Sequence, residues 1–555
     1  MAQMPKAADL FGDVAPVEAA KMQEAYLSEL NKSFANPSHT PGVAPQADPV
    51  SQIEALVANK SLSPDAVASL NTALASQRAI SADIAKEITL TNPLSTSFAA
   101  FDLEAPAKLL TPRPTPLRNK IVRKKGIGTS HRIKRITGYT GTGTGGQGNI
   151  WPGITQTTQN DFAPGASTPL MYERGPQISY TADDLVLPYN SYSLSDQVSF
   201  DANFSGLGYQ DLRQLSSTST LYATMLMEER MMLMARGTAS GYSGALSAPT
   251  VTLTSPVAAS GQVALAANTY YVYVTSDAGA FGQSVVSTVQ SAVVASGDVL
   301  QIDVSAVTGA IGYRVYVGTA TGTGNCTYQG RTTSTTFVVQ GASSTTTAGN
   351  TAPYTTTGAL ASTAASDTSA YATGYDGILP TVLNPSISGA INTINSTFST
   401  SNPGAEFQTV FGTLYENVKA DPDEILLNGA DRKQLSDTIK NGSTANYRLT
   451  LAQTDTGDYV GGAVIGALNN EITGKMVNLT VHPWLPQGVA PVLSYTLPIP
   501  DTEVSDVWAN IMVQDYMGIQ WPVNQFSYDF STYFRGTFMC YAPAWNGVVS
   551  GIVSA

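Results

Sequence analysis

The spacing of apolar residues changes several times along this chain, and each spacing predicts a different element. Residues 16 to 34 place apolar side chains at helical intervals among Glu and Lys, and Ser63-Pro64-Asp65 has the capping serine and first-turn proline of a second helix. Between them a proline stands at every fourth position from Pro37 to Pro49, which excludes a continuous helix. We therefore expect residues 1 to 104 to form an acidic, helical arm with an extended connector.

A strand-like alternation over residues 176 to 204 leads into a long helical pattern. Residues 209 to 236 contain neither Gly nor Pro and repeat Leu and Tyr at spacings of three, four and seven, and Gly237 marks the end. At 1.5 Å per residue this helix would be roughly 40 Å long. Its methionines are Met225, Met227, Met231, Met232 and Met234. Methionine at helical spacing usually packs, so we favour core or subunit contacts over a metal site or a promiscuous groove.

Composition and period change together at about residue 246. From there to residue 356 Lys and Glu are absent, and the charged residues are Asp277, Asp298, Asp303, Arg314 and Arg331. Short alternating runs separated by Gly, Asn, Asp and Ser turns predict an antiparallel β-sandwich. In one run Tyr271 and Tyr273 fall on one face and Val272 and Val274 on the other. The phrases AVTGAIGYRVYVGTATGTGN and TTSTTFVV resemble fibronectin type III and immunoglobulin-like modules.

Beyond this module, helical and strand-like runs alternate. The segment from Gly404 predicts a helix, a turn, a buried strand at Glu424 to Leu427, an Asn-Gly turn and a second helix from Asp431. Later runs such as MVNLTVHPWLPQG, DVWANIMVQDYMGIQWP and YFRGTFMCYAPAWNGVVSGI are strand-like. This order predicts an α+β layer.

Composition adds that the chain is large and poor in charge. It has 555 residues, of which 43% are hydrophobic and 13% charged, about half the usual charged share. Several compact units are expected, with β-rich structure and extensive subunit contact. The two cysteines, Cys326 and Cys540, suggest neither a disulfide framework nor a metal site. With no basic-then-apolar start and no apolar run of about 18 residues, we expect neither export nor a membrane span.

The charge is unevenly distributed. The net charge is −12, yet residues 105 to 160 contain no acidic residue. The basic patch that we single out, with its one histidine, is Arg113, Arg118, Lys120, Arg123, Lys124, Lys125, His131, Arg132, Lys134 and Arg135. Because it opposes the sign of its own protein, it suits an acidic neighbouring subunit or nucleic acid, and a solvated hairpin with ordinary surface charge is the third interpretation.

The sequence gives little support for catalysis, and we predict no cofactor and no metal. His39, His131 and His482 stand in unlike contexts without ligand spacing. Asp455-Thr456-Gly457 copies the aspartic-protease triplet, but that chemistry needs a second carboxylate and no second triplet occurs. Residues 141 to 146 satisfy G-x-G-x-x-G without the buried strand and helix that a dinucleotide site requires.

Taken together, the chain resembles the major capsid proteins of tailed bacteriophages, whose fold is named after phage Hong Kong 97, and in particular actinophage-like members. The resemblance is carried by TPLRNKIVRKKGIGTSHRIKRITGYTGTGTGG, by the long helix, and by the late runs at Val481 to Gly488 and Tyr516 to Pro522. It implies an α+β fold with a helical N-terminal arm, an extended loop over residues 113 to 150, a spine helix, and an inserted all-β immunoglobulin-like sandwich.

The resemblance also implies a domain order. Residues 1–104 would be the acidic arm, with a scaffold-like role as a hypothesis, and residues 105–245 the extended loop, peripheral strands and spine helix. Residues 246–356 would be the inserted module, which projects outward in that family, and residues 357–555 the axial and remaining peripheral domains. Some family members join Lys to Asn covalently, but the spacing here selects no pair.

The implied function is that of a non-enzymatic major capsid protein that self-assembles, as hexamers and pentamers, into an icosahedral phage head around double-stranded DNA. Packaged DNA on the inner face, a portal and decoration proteins are the implied partners, with no membrane, and the implied location is the virion after assembly in the host cytoplasm. The alternative is a surface or tail-associated adhesin whose module recognises a host surface. A protease is the third interpretation of the sequence.

Overall fold

The structure is a computed structural model that describes residues 72, 75, 112–140, 179–206, 210–345, 350–371, 374–441, 466–497, 504–523 and 525–553. The chain divides into two compact units, 1–105 and 106–555, and nearly all described residues belong to the second. The arm predicted over residues 1 to 104, apart from the helical Thr72 and Ala75, lies outside the described residues, as do the glycine-rich residues 141 to 146 and the triplet at 455 to 457.

The elements of the second unit are as follows. The helices are α1 (Pro116–Lys120), α2 (Phe200–Ser205), α3 (Leu212–Met234), α4 (Ile378–Val382), α5 (Ala405–Val418) and α6 (Gly429–Asn441). The strands are β1 (Val122–Lys125), β2 (Ser130–Thr140), β3 (Ser179–Pro188), β4 (Asn190–Ser199), β5 (Val251–Thr254), β6 (Asn268–Asp277), β7 (Gln290–Val294), β8 (Leu300–Val304), β9 (Gly312–Gly318), β10 (Thr327–Thr332), β11 (Thr336–Gln340), β12 (Thr351–Pro353), β13 (Ala390–Ser396), β14 (Glu424–Leu427), β15 (Ala467–Asn469), β16 (Met476–Val481), β17 (Val489–Leu493), β18 (Trp508–Gln520), β19 (Ser527–Cys540) and β20 (Gly547–Ile552). Short 3₁₀ turns occur at Gly279–Phe281, Thr323–Asn325, Ala361–Ala364 and Pro543–Trp545.

A four-stranded sheet of order β1-β18-β19-β4 joins the start of the described unit to its end. The long strands β18 and β19 pair antiparallel, β4 lies beside β19, and β1 runs parallel to β18 with Val122 opposite Ala509. Separately, β2 and β3 form an antiparallel two-stranded ladder, called the hairpin hereafter. Of the strand pattern predicted over residues 176 to 204, β3 and β4 confirm residues 179 to 199, and residues 176 to 178 lie outside the described residues. The last part is wrong, because residues 200 to 205 form the short helix α2, capped by the Ser199 hydroxyl.

The long helix is confirmed as α3, shorter at both ends than predicted. Asp211 caps its start, because the Asp211 carboxylate accepts the N–H groups of Arg213 and Gln214 at 3.0 and 3.2 Å. After Met234 the backbone becomes extended. The C-terminal methionines of α3 are buried in a core shared with α1 and α4, so the packing interpretation holds for them.

Residues 251–353 form two four-stranded sheets, called the two-sheet unit hereafter, with strand orders β10-β9-β6-β7 and β12-β11-β8-β5. Val272 and Val274 point into the shared core, while Tyr273 packs on the other face beside Tyr316. The sequence did not predict the strand β10, because its buried side chains are polar. Gln329, for example, is buried while its amide donates to the backbone oxygen of Thr355 at 2.9 Å.

The remaining elements form a six-stranded mixed sheet of order β13-β20-β17-β14-β16-β15. Helix α5 covers it through Phe407, Val410, Phe411 and Leu414, which are buried. The predicted helix–strand–helix order is confirmed, except that α6 begins at Gly429 rather than Asp431. The described chain is therefore a sheet-rich α+β protein with few helices.

Candidate assembly surface

The basic patch divides into two parts. Residues 113 to 150 were expected to form one extended loop, and this is wrong for its first part. Residues 116–125, called the root hereafter, form α1 and β1 and are built into the core, because Leu117 and Ile121 are buried there and β1 completes the sheet beside β18. Residues 130 to 140 belong to the hairpin, and residues 141 to 150 lie outside the described residues.

Two adjacent carboxylates of α3 hold the root. The side chains of Glu228 and Glu229 have no exposed surface. Glu228 accepts hydrogen bonds from Asn510 Nδ2 at 2.5 Å, from the Arg123 guanidinium and from the Tyr516 hydroxyl, and it forms an ion pair with Arg118, whose Nε lies 3.2 Å away. Because a buried charge costs several kcal/mol unless it is paired, these partners offset the cost of burying the Glu228 carboxylate.

Glu229 faces a different part of the root. Its carboxylate accepts the backbone N–H groups of Leu117 and Arg118 at 2.9 and 2.7 Å, at the first turn of α1. The ring Nε2 of His482 lies 2.8 Å from the same carboxylate. His482 directly follows β16, and its backbone N–H donates to the Leu427 oxygen at 3.0 Å.

Two lysines of the root, Lys120 and Lys124, are paired as well. Lys120 Nζ lies 2.7 Å from Glu424 and over the ring of Tyr495, and Lys124 Nζ lies 3.5 Å from Asp506. Burial alone would raise the pKa of Glu424, but the hydrogen bonds from Lys120, Thr480 and Tyr495 outweigh it and lower that pKa below its ordinary value.

On the hairpin, the cations face two aspartates of β3. Arg132 pairs with Asp184, and Arg135 lies 2.6 Å from Asp183. The hydrogen bond from Arg132 lowers the pKa of Asp184. Lys134 is exposed and stands opposite Asp184 in the ladder. His131 is partly buried, and burial together with Lys124 lowers its pKa, so it adds little positive charge at neutral pH.

The two remaining cations are Arg113 and Lys125. Arg113 stacks over the ring of Tyr222 at 5.2 Å, and Lys125 is exposed with no partner among the residues that the structure describes. Six of the nine cations of the patch therefore face carboxylates of their own chain. Its assignment to subunit or DNA contact stays a prediction.

The sequence did not indicate a second surface. A groove of about 970 Å³ runs between β4, the start of α3 and the turn before β19, and is called the acidic groove hereafter. Asp196 lines it, and Asp201 and Asp211 flank it in the chain. Phe526, which is 86% exposed, and Leu215 supply its apolar surface. Aromatic residues in a turn between two long strands were the one sequence signal for it.

Solved structures that the chain is similar to include a phage capsid, an encapsulin and a Mycobacterium phage structure. The capsid of Myoviridae phage XM1 shares 8% identity at a TM-score of 0.37, covering 82% of this chain and 98% of that one. The SrpI encapsulin of Synechococcus elongatus PCC 7942 shares 7% at 0.36, covering 84% and 96%, and Mycobacterium phage Bobi 8% at 0.36, covering 81% and 94%. Phage capsids are the class that the sequence resembles.

No protein-family model matches the sequence, and neither does any curated protein. With TM-scores this low, the contacts of the chain itself have to support a function. Among the described residues no helix has the length and apolar character needed to span a bilayer. In the same residues no group of three or more His, Cys, Asp or Glu side chains could hold a metal ion.

Proposed function

We propose that this chain is the major capsid protein of a tailed bacteriophage, a structural and non-catalytic subunit that assembles with copies of itself. The observation that carries the proposal is that the chain presents two complementary surfaces. The hairpin carries the exposed Arg132 and Lys134 beside apolar side chains, and the acidic groove carries Asp196 beside an exposed apolar surface.

The exposed face of the hairpin, together with the segment that connects it to the root, carries both cations and solvent-exposed apolar side chains. Ile127, which is 83% exposed, Ile136 and Val186 are open to solvent, beside the exposed Lys134 and Arg132. Exposed Ile and Val on a long two-stranded ribbon are a liability for an isolated subunit. A partner that covers them removes that liability.

The acidic groove provides such a cover, and it belongs to a second copy. Within one chain β4 separates the two surfaces: the hairpin ends just before Asn190, whereas the groove lies around Asp196 to Ser199. The ten residues of β4 span about 30 Å at roughly 3.3 Å per residue. No described residue of the hairpin lines the groove, so pairing of the two surfaces between copies accounts for both.

The finer parts of the proposal come from the sequence resemblance. They are a Hong Kong 97-like icosahedral head of hexamers and pentamers around double-stranded DNA, contact with a portal and decoration proteins, and location in the virion after assembly in the host cytoplasm. The sequence resemblance is also the source of the proposal that residues 246–356 form an immunoglobulin-like module that projects outward from the shell. Pairing of six patch cations within the chain leaves few charges for contact with DNA.

The experiment is to express the full chain and follow assembly by size-exclusion chromatography and negative-stain microscopy. Shells, capsomers or tubes are expected for the wild type. Arg132→Glu with Lys134→Glu should abolish them, and adding Asp196→Lys with Asp201→Lys should restore them in part, since the charges are then exchanged between the two surfaces.

A matched control changes equally exposed charges elsewhere. Lys433→Glu alters α6, far along the chain from both surfaces, and should leave assembly unchanged. A wild-type chain that stays a monomer or trimer under all conditions would sink the proposal. Loss of bound DNA without loss of assembly in the hairpin variant would instead assign the patch to nucleic acid.

A further inference from the structure

We infer that Glu228 and Glu229 are positioning residues that fix the root and thereby set the direction in which the hairpin leaves the subunit. The part of this inference that concerns reaching a second copy rests on the proposed function. The part that concerns the root does not.

The first step is the division of labour between the two carboxylates. Successive residues of a helix point about 100° apart, so neighbours on α3 reach different partners. Glu228 binds the guanidinium groups of Arg118 and Arg123, and Glu229 binds the backbone N–H groups at the start of α1. The root is therefore held from two sides, once through charge and once through its backbone.

The second step is energetic. Both carboxylates are wholly buried, and removing one partner of a buried ion pair strands the other. Both cationic partners of Glu228 belong to the root. The two backbone N–H groups that donate to Glu229 belong to the root as well. The root cannot shift without leaving two buried negative charges with only Asn510, Tyr516 and His482. The geometry is thus strongly constrained.

The third step is the transmission of this position to the hairpin. After β1, the N–H of Gly126 donates to the Met512 oxygen at 2.8 Å. A Cβ at position 126 would collide with the Tyr189 hydroxyl and lie 2.9 Å from Ile511, so the chain passes tightly between the sheet and the hairpin base. The Thr129 oxygen then accepts the Tyr189 N–H at 3.1 Å, which closes the hairpin. Few residues separate the anchored root from β2.

The test compares Glu228→Gln and Glu229→Gln with Glu406→Gln. Glu406 is also buried and accepts a backbone N–H, that of Ser399 at 2.6 Å, but it lies in the six-stranded sheet region. In the unassembled full chain, amide exchange of residues 117 to 125 should become on the order of a hundredfold faster in Glu228→Gln. In Glu229→Gln it should become about tenfold faster. The control should leave it unchanged.

A second readout reports the hairpin directly and does not depend on assembly. Spin labels on Lys134→Cys and Lys433→Cys give a distance distribution between the hairpin and α6, and both positions are exposed. We expect this distribution to broaden in the two root variants and to keep its width in Glu406→Gln. An unchanged exchange rate or an unchanged distribution in both root variants overturns the inference.

Assembly supplies the last discrimination. Root variants that lose protection should give aberrant shells or none, and normal shells from such variants would overturn the link to assembly. If the wild type itself does not assemble, the proposed function fails. The exchange and distance measurements then still decide whether Glu228 and Glu229 position the hairpin.

Discussion

The Nε of Arg331 donates a hydrogen bond to the buried carboxylate of Asp277 at a distance of 2.6 Å. This pair lies where the two-sheet unit meets the rest of the chain. Arg331 Nη1 also donates to the backbone oxygen of Gln487 at 3.0 Å, and the Thr333 hydroxyl donates to the Ile552 oxygen at 2.6 Å. Arg314 is the second cation on Asp277. Three of the five charges of residues 246 to 356 are thus used at this junction, called the clamp hereafter.

The first prediction concerns the clamp. Arg331→Met should lower the free energy of unfolding by about 3 kcal/mol, because it leaves the buried Asp277 with Arg314 alone and removes the bond to Gln487. Lys433→Met is the matched control, since the Lys433–Asp437 pair is exposed and should contribute less than about 1 kcal/mol. Urea unfolding measures both. Equal losses would show that the clamp has no special role.

The second prediction concerns Asp431, which lies beneath the clamp. Burial raises its pKa to about 6, although the N–H of Gly488 at 2.8 Å and the charge of Arg331 act in the opposite direction. Its Oδ1 is buried and has no hydrogen-bond partner among the described residues. Since the folded pKa lies above the unfolded one, the ionised carboxyl disfavours the fold above about pH 6, and protonation relieves this penalty as the pH falls.

Asp431→Asn keeps an acceptor for Gly488 but cannot ionise. The stability of the wild type relative to this variant should therefore rise by about 2 kcal/mol between roughly pH 7.5 and 4.5. Unfolding free energies measured across this pH range for both proteins give the difference. Parallel curves would mean that Asp431 does not titrate in this range.

The third prediction separates steric crowding from backbone strain. Gly488 and Gly474 both have positive φ, 97° and 77°, so alanine is strained at either position. At Gly488 an added Cβ would also collide with Thr333 of the clamp, whereas at Gly474 it would meet open space. Gly474→Ala should cost about 1 kcal/mol and Gly488→Ala at least about 2 kcal/mol more. A similar shift of the thermal midpoint in both would argue against close packing at the clamp.

The fourth prediction concerns thiol reactivity. Cys326 is free and fully buried in the two-sheet unit, and burial raises its pKa to about 11. In a Cys540→Ser variant a thiol reagent should therefore not modify the native chain at about pH 8. The reagent cannot reach the buried Cys326, and the Cys326 thiol is not ionised at that pH. Modification should appear only with denaturant. Rapid labelling of the native variant would show that the unit opens readily.

The elements of the described unit could be predicted where one local period dominates. The helix α3 is an example, because residues 209 to 236 have no Gly or Pro and its methionines recur at helical spacing. The strands of the two-sheet unit with alternating Val and Tyr are another. The polar strand β10 was missed, because its burial depends on hydrogen bonds such as that of Gln329 rather than on apolar side chains.

The candidate site was harder to predict than the fold. The sequence grouped the cations of the root and hairpin into one patch, but it did not indicate their partners. Glu229 lies 111 positions from Arg118, Glu424 lies 304 positions from Lys120, and Asp515 lies 392 positions from Arg123. The sequence shows that a basic segment stands in an acidic chain. It cannot show which carboxylates the fold brings within hydrogen-bond distance of each cation.

By itself the sequence determined the periods, hence α3, most strands of the two-sheet unit, and the alternation of α5, β14 and α6, because these depend on side chains a few residues apart. Only the tertiary structure decided that β1 joins β18, that the root is anchored on Glu228 and Glu229, and that β4, α3 and the turn at Phe526 enclose a groove. The physical reason is that most of these contacts join segments more than one hundred residues apart. Their register is set by packing and by the cost of leaving buried charges unpaired.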